Sequence, residues 1–132
     1  MTVFVCVDDN CGISFNNRRQ SRDSKIIKTV FDMVKDGVLY TDSYSEGLFE
    51  GYDVNVDAYY LNKATDRDFC FVEKTSLKDY EDKIKTLVLF KWNKVYPSDM
   101  KLDVSLDNRT LENTFDFKGT SHDKITCEVW VK

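Results

Sequence analysis

Proline, histidine and glycine are scarce in this 132-residue chain, with one Pro (Pro97), one His (His122) and five Gly. So few punctuating residues leave no Pro-rich or Gly/Ser-rich linker and no repeat at solenoid periods, and residues 1–132 are expected to form a single domain. No stripe of Lys and Arg is present: the formal charge is −4 with acids and bases interspersed, which disfavours nucleic acid as a partner. No apolar run approaches the length of a membrane span, and the stretch from Met1 to Val7 stops at Asp8 with no basic residue before it, unlike a signal peptide. No cysteine pair has the two-residue spacing of a zinc knuckle or redox motif, since Cys6 and Cys11 are separated by four residues. These absences predict a cytoplasmic protein with reduced thiols, no membrane association and no metal site.

What is present is enough apolar material for a core. Hydrophobic residues make up 42% and aromatics 14%, which argues against disorder. Residues 2–7 are almost continuously apolar, the pattern of a central strand covered on both faces. Asp8 to Gly12 supplies turn chemistry; the polar loop from Asn16 to Arg22 follows the apolar pair Ile13 and Phe15. From Asp23 to Asp36, Ile26, Ile27, Val30, Phe31 and Val34 recur at helical spacing, with Ser21 or Asp23 as N-cap and Gly37 as the residue after the C-cap. Residues 38–41 then read as a parallel strand reached by a crossover. Short helical turns are expected over 44–49 and 57–63, a short strand at Val54 and Val56, a buried strand over 69–72, an amphipathic helix over 76–85 and a long strand over 86–92. After Pro97, the alternations Leu102, Val104, Leu106 and Ile125, Cys127, Val129, Val131 predict antiparallel strands. The fold class is therefore α/β: a mixed, mostly parallel central sheet with flanking helices and a C-terminal antiparallel pair.

Several of these segments resemble the dihydrofolate reductase family. Tyr80-x3-Ile84-x2-Leu87-Val88-Leu89 is similar to its last helix and following strand, Lys94-Val95-Tyr96-Pro97 to its turn ending in Phe-Pro, and Ser121 to Val129 to its closing strand. Gly12-Ile13 stands where that family has Ile-Gly before its substrate loop, and Asp23 where it keeps the acid that binds a pterin ring. The resemblance implies that fold. It also implies, by its departures, no nicotinamide cofactor: Glu73-Lys74 replaces the paired glycines that let backbone approach a dinucleotide, and Asp42 stands in Tyr40-Thr41-Asp42-Ser43-Tyr44 where a phosphate-pairing Arg is expected. Asn17-Arg18-Arg19-Gln20 replaces the family's Pro-Trp. The opening Val7 to Asp23 and the ending Ser121 to Thr126 also resemble short uncharacterised bacterial proteins sometimes labelled ribonuclease Z, but that metallo-hydrolase needs clustered His and Asp ligands and this chain has one His.

The candidate ligand-binding residues are Phe15, Arg18, Arg19, Asp23 and Tyr44. Arg18 and Arg19 lead into a helix N-terminus whose free N–H groups suit a phosphate or carboxylate, against the plainer reading of a solvated loop capped by Ser21 or Asp23. A buried Asp23 would carry a raised pKa and bind a heterocycle's edge; a capping Asp23 would be exposed and ionised. His122 reads as a turn residue bonding its own loop, Ser121 being too close in sequence to act with it as a triad. Asp8 and Asp9 read as turn caps rather than metal ligands. The aromatic middle, Tyr40 to Tyr60, reads mostly as core, with a stacking or docking patch if several rings face outward. The leading expectation is a domain without reductase activity that binds a small anionic or heterocyclic ligand, or a protein partner, at the face from Phe15 to Asp23 and Tyr40 to Tyr44. Beside it stand an active reductase with altered cofactor contacts, a protein-interaction or immunity-type module, and a nuclease.

Overall fold

A computed structural model describes all 132 residues. The apolar run at the start forms β1 (Thr2–Val7), the middle strand of a seven-stranded sheet. Val3, Phe4 and Val5 are wholly buried, as expected for a strand with both faces covered. The odd residues Val3, Val5 and Val7 join one core with Leu61, Leu77, Ile84 and Val104. Phe4, on the opposite face, joins a second core with the apolar stripe of the main helix, Ile26, Ile27, Val30 and Val34, together with Phe49 and Phe90.

In chain order, β2 (Gly12–Phe15) and β3 (Arg18–Arg19) form a small hairpin, α1 (Ser24–Val34) crosses one face, and β4 (Leu39–Thr41), β5 (Asn55–Val56) and β6 (Phe69–Val72) lie on one side of β1. A 3-10 turn at Glu46–Phe49 and the short helix α2 (Tyr60–Lys63) separate these strands. On the other side lies β7 (Thr86–Lys91), parallel to β1; β8 (Met100–Lys101) leaves the main sheet to pair with β2. β9 (Thr110–Phe117) and β10 (Ile125–Val131) complete the main sheet as an antiparallel pair, β10 lying against β7 and β9 forming the edge. The order is β5-β4-β6-β1-β7-β10-β9. This is the mixed, mostly parallel sheet with a C-terminal antiparallel pair that the sequence predicts.

Several local expectations give way to tertiary context. α1 ends at Val34, and Lys35 rather than Gly37 takes the positive φ (54°), its N–H bonding Phe31 O. Gly37 answers a different need, since a Cβ there would sit 2.8 Å from the Phe69 ring. The segment 76–85 forms only a 3-10 turn, Lys78–Lys83. Leu102, Val104 and Leu106 alternate without forming a strand: they cover the Val3 face from irregular chain, and the strand of that region is β9. All four cysteines are free thiols. Burial pushes those of Cys70 and Cys127 up to about 12, so they behave as small apolar side chains.

Candidate functional site

The approach to α1 sets the geometry. Asp23 is extended (φ −155°, ψ 126°) and its carboxylate accepts from Lys25 N at 2.9 Å, making it the N-cap. In extended backbone, residues two apart face the same side, so Ser21 and Asp23 project together while Arg22 between them is exposed. The side they share is occupied by the β9–β10 connection, which wraps Asp23. Thr120 N and Ser121 N each donate to the carboxylate at 2.9 Å, Ser121 Oγ at 3.3 Å and His122 Nδ1 at 2.9 Å. Gly119 permits this wrap, since a Cβ there would collide with the Asp23 carboxylate.

Asp23 is thus both cap and buried acid, and the choice posed by the sequence is a false one. It is only 6% exposed. Burial alone raises its pKa, but the hydrogen bonds from Thr120 N, His122, Ser121 N and Lys25 N outweigh that and hold the carboxyl well below the usual range. With five donors already on two oxygens, it has no lone pair left for a ligand's amidine-like edge, so the pterin-acid role implied by the resemblance is not available to it.

His122 is likewise more than a turn residue. Its side chain is 4% exposed. Trp92 packs on its ring at a tilt of 32°, centroids 4.6 Å apart. Nδ1 faces an acceptor-only carboxylate and therefore carries a hydrogen, so that in the neutral imidazole Nε2 is the acceptor for two hydroxyls, Ser21 Oγ at 3.0 Å and Tyr96 OH at 3.2 Å. Tyr96 is held there by Asp8, whose Oδ2 takes Tyr96 N at 3.0 Å while Oδ1 takes Gly12 N at 2.7 Å. Asp8 is a turn cap, as its sequence context predicts. Asp23, His122 and Ser21 form a continuous chain whose end, Ser21, is half-buried on the wall of a cavity.

That cavity, about 380 Å³, opens between the end of β1, the start of α1 and the loop carrying Thr120 and Ser121. Trp92, Phe71, Ile26, Ile27 and Tyr52 supply its apolar wall. Its position at the carboxyl ends of parallel strands is where α/β sheets build sites. Cys6 also borders it, but burial, with Glu73 adding, pushes that thiol far up and leaves it un-ionised.

The structure brings together only part of the predicted set. Asp23 and Ile27 line the cavity; Phe15 and Tyr44 do not. Asn16 and Asn17, both with positive φ (51° and 60°), make a two-residue turn that carries Phe15 to the surface, 47% exposed, where with Arg18, Tyr96 and Pro97 it borders a separate shallow groove. Arg19 pairs in two-pronged fashion with Glu73 at 2.8 and 3.0 Å, and Ser45 Oγ donates to the same carboxylate at 2.7 Å. The Tyr44 ring is met by both the Arg19 guanidinium (4.6 Å from its centroid) and Lys74 Nζ (3.7 Å). Arg18 and Arg19 are therefore not a phosphate clamp at α1: both border the groove, and Arg19 is neutralised by Glu73. No group of three or more His, Cys, Asp or Glu side chains is placed to hold a metal ion. No helix is long and apolar enough to cross a membrane.

Sequence reasoning missed Ser21 and Tyr96 as partners of His122. The signal for Ser21 was its spacing of two from an N-cap acid in extended chain; nothing local marked Tyr96.

No protein-family model matches the sequence, and no curated protein is similar to it at the sequence level. Among solved structures, a dihydrofolate reductase from Enterococcus faecalis, complexed with NADP(H) and RAB-propyl, is similar with a TM-score of 0.68 over 98% of this chain and 94% of that one, at 10% sequence identity. The chain has the dihydrofolate reductase fold.

Proposed function

We propose that this chain binds a compact, largely neutral and partly planar small molecule in the cavity beside Ser21 and Trp92, and that it does so without a nicotinamide dinucleotide. The cavity carries the reading: its 380 Å³ suits a ligand of one or two rings, its walls are aromatic and aliphatic, and its few polar groups converge at one end. Charge selects against anions. Asp23, Glu50 and Glu73 border the cavity against Arg22 alone, and Glu73 is offset from outside by Arg19. Of the small anionic and heterocyclic ligands suggested by the sequence, the heterocyclic class fits.

The dinucleotide that the fold implies does not fit the residues at the end of β6. A glycine pair there would leave room for a pyrophosphate. Instead Glu73 presents a 9%-exposed carboxylate bonded to Arg19 and Ser45, and Asp42 Oδ1 closes a turn on Ser45 N at 3.0 Å. The Arg19 guanidinium there is taken by Glu73, Lys74 is engaged by the Tyr44 ring, and the carboxylates of Asp42 and Glu73 would repel a phosphate.

The test uses Trp92, buried against the cavity, as reporter, in a Trp130→Phe background that removes the chain's other indole. A panel of neutral one- and two-ring heterocycles should contain compounds that quench this fluorescence and raise the melting temperature, and Ile27→Phe, which narrows the cavity without adding an indole, should weaken both effects. NADPH should leave melting unchanged. A rise in melting temperature with NADPH, or binding undiminished in Ile27→Phe, overturns the reading.

A further inference from the structure

The same cavity holds an unused nucleophile. We propose that Ser21 accepts an acyl group from a neutral ester or similarly activated carbonyl compound bound in the cavity, with His122 as general base and Asp23 as the positioning residue. The inference rests on the cavity being a ligand site.

Three features carry it. The geometry is that of an acid–imidazole–hydroxyl relay, 2.9 Å from Asp23 Oδ2 to His122 Nδ1 and 3.0 Å from Nε2 to Ser21 Oγ, both within hydrogen-bond reach. The ring is fixed in orientation by the Asp23 bond on one side and the Trp92 face on another, so Nε2 stays directed at the hydroxyls. Access is also correctly ordered: Ser21 lines the cavity while the imidazole lies behind it, away from solvent. A purely structural histidine would be satisfied by Asp23 and one hydroxyl. Here two hydroxyls converge on one lone pair, so one of them is always free to leave it, and only Ser21 is on the cavity wall.

In the step proposed, Ser21 Oγ bonds the carbonyl carbon as its proton passes to His122 Nε2, and the carbonyl π pair moves to oxygen. Collapse of that intermediate breaks the bond to the leaving alcohol, which takes the proton back from Nε2. Water then attacks the Ser21 ester by the same route, releasing a carboxylic acid and restoring the hydroxyl. Ser24, first residue of α1, also lines the cavity, and its N–H has no intrahelical acceptor at that position, so the helix start offers a donor to the developing oxyanion.

The experiment is covalent labelling of the intact chain with a fluorophosphonate, which joins phosphorus to an activated serine oxygen and expels fluoride. The expected result is one label, located on Ser21 by peptide mass spectrometry and absent from Ser21→Ala. Labelling should slow by at least about a hundredfold in His122→Asn, and persist in Arg18→Ala, whose side chain is away from the cavity. Should His122→Asn not fold, the labelled position and the Ser21→Ala result decide alone. A chain that stays unlabelled, a label on Tyr96 or Ser121, or equal labelling of the denatured chain overturns the proposal. Heterocycle binding without labelling removes the nucleophile and keeps the ligand site; loss of both removes both.

Discussion

Two polar clusters flank the carboxyl end of β1, and they treat buried charge differently. In the Arg19–Glu73 cluster each charge meets its opposite: two guanidinium bonds and the Ser45 hydroxyl engage the carboxylate, and the Tyr44 ring takes up the adjoining cations. Nothing there is left over for a ligand. In the Asp23–His122 cluster a single carboxylate is surrounded by N–H donors and passes its influence through an imidazole to a hydroxyl on a cavity wall. The first arrangement closes a surface; the second holds a reactive group in place. A site is marked less by how much charge it buries than by where the chain of hydrogen bonds ends.

The comparison breaks most readily at Asp23. Asp23→Ala strands the donors of Thr120, Ser121 and His122 in the interior and should destabilise the fold by about 3–5 kcal/mol, read by urea denaturation. Acid should act at the same point. The folded carboxyl is held below its unfolded value, so its stabilisation is complete above about pH 5 and drains away as pH falls below the unfolded pKa; Asp23→Asn should flatten the acid limb of the stability profile. Next in size is Gly119→Ala, whose Cβ must push the loop off the carboxylate, costing about 1–3 kcal/mol. If the Arg19–Glu73 pair merely seals, Arg19→Met with Glu73→Leu should be nearly neutral, while Glu73→Leu alone, which leaves a half-buried guanidinium unpaired, costs about 1–3 kcal/mol. The smallest effect is expected of Phe15→Ser and Arg18→Ala, within about 0.5 kcal/mol and without change in heterocycle binding. A large loss there would return the site to the hairpin.

The sheet was legible in the sequence because burial on both faces writes itself as uninterrupted apolar runs, in β1, β6 and β7, and because the stripe of α1 has helical period. β9 was not: as an exposed edge it needs little apolar patterning, and only Phe115 and Phe117 touch the core. The irregular chain through Leu102 to Leu106 imitated a strand because apolar residues packed from a loop also alternate. At the site, Asp23 was found through its capping position, but its surroundings come from residues at the other end of the chain. Phe15 and Arg18 are grouped with it by sequence proximity, which a two-residue Asn-Asn turn undoes, while Tyr44, from a second segment, packs against Arg19 instead.

The bonds that enclose Asp23 join residues 97 to 99 positions apart, and β1 finds its register only against strands more than sixty residues downstream. Loops of that length close slowly, and nothing local holds the histidine near the serine until they do. The cavity is thus expected to form late in the molecule's assembly. Before β10 docks, Trp92, Phe71 and the inner stripe of α1 stay wet, and a partly folded chain should display them to a hydrophobic dye, the signal vanishing in the same kinetic phase in which the ring of Trp92 acquires its imidazole neighbour.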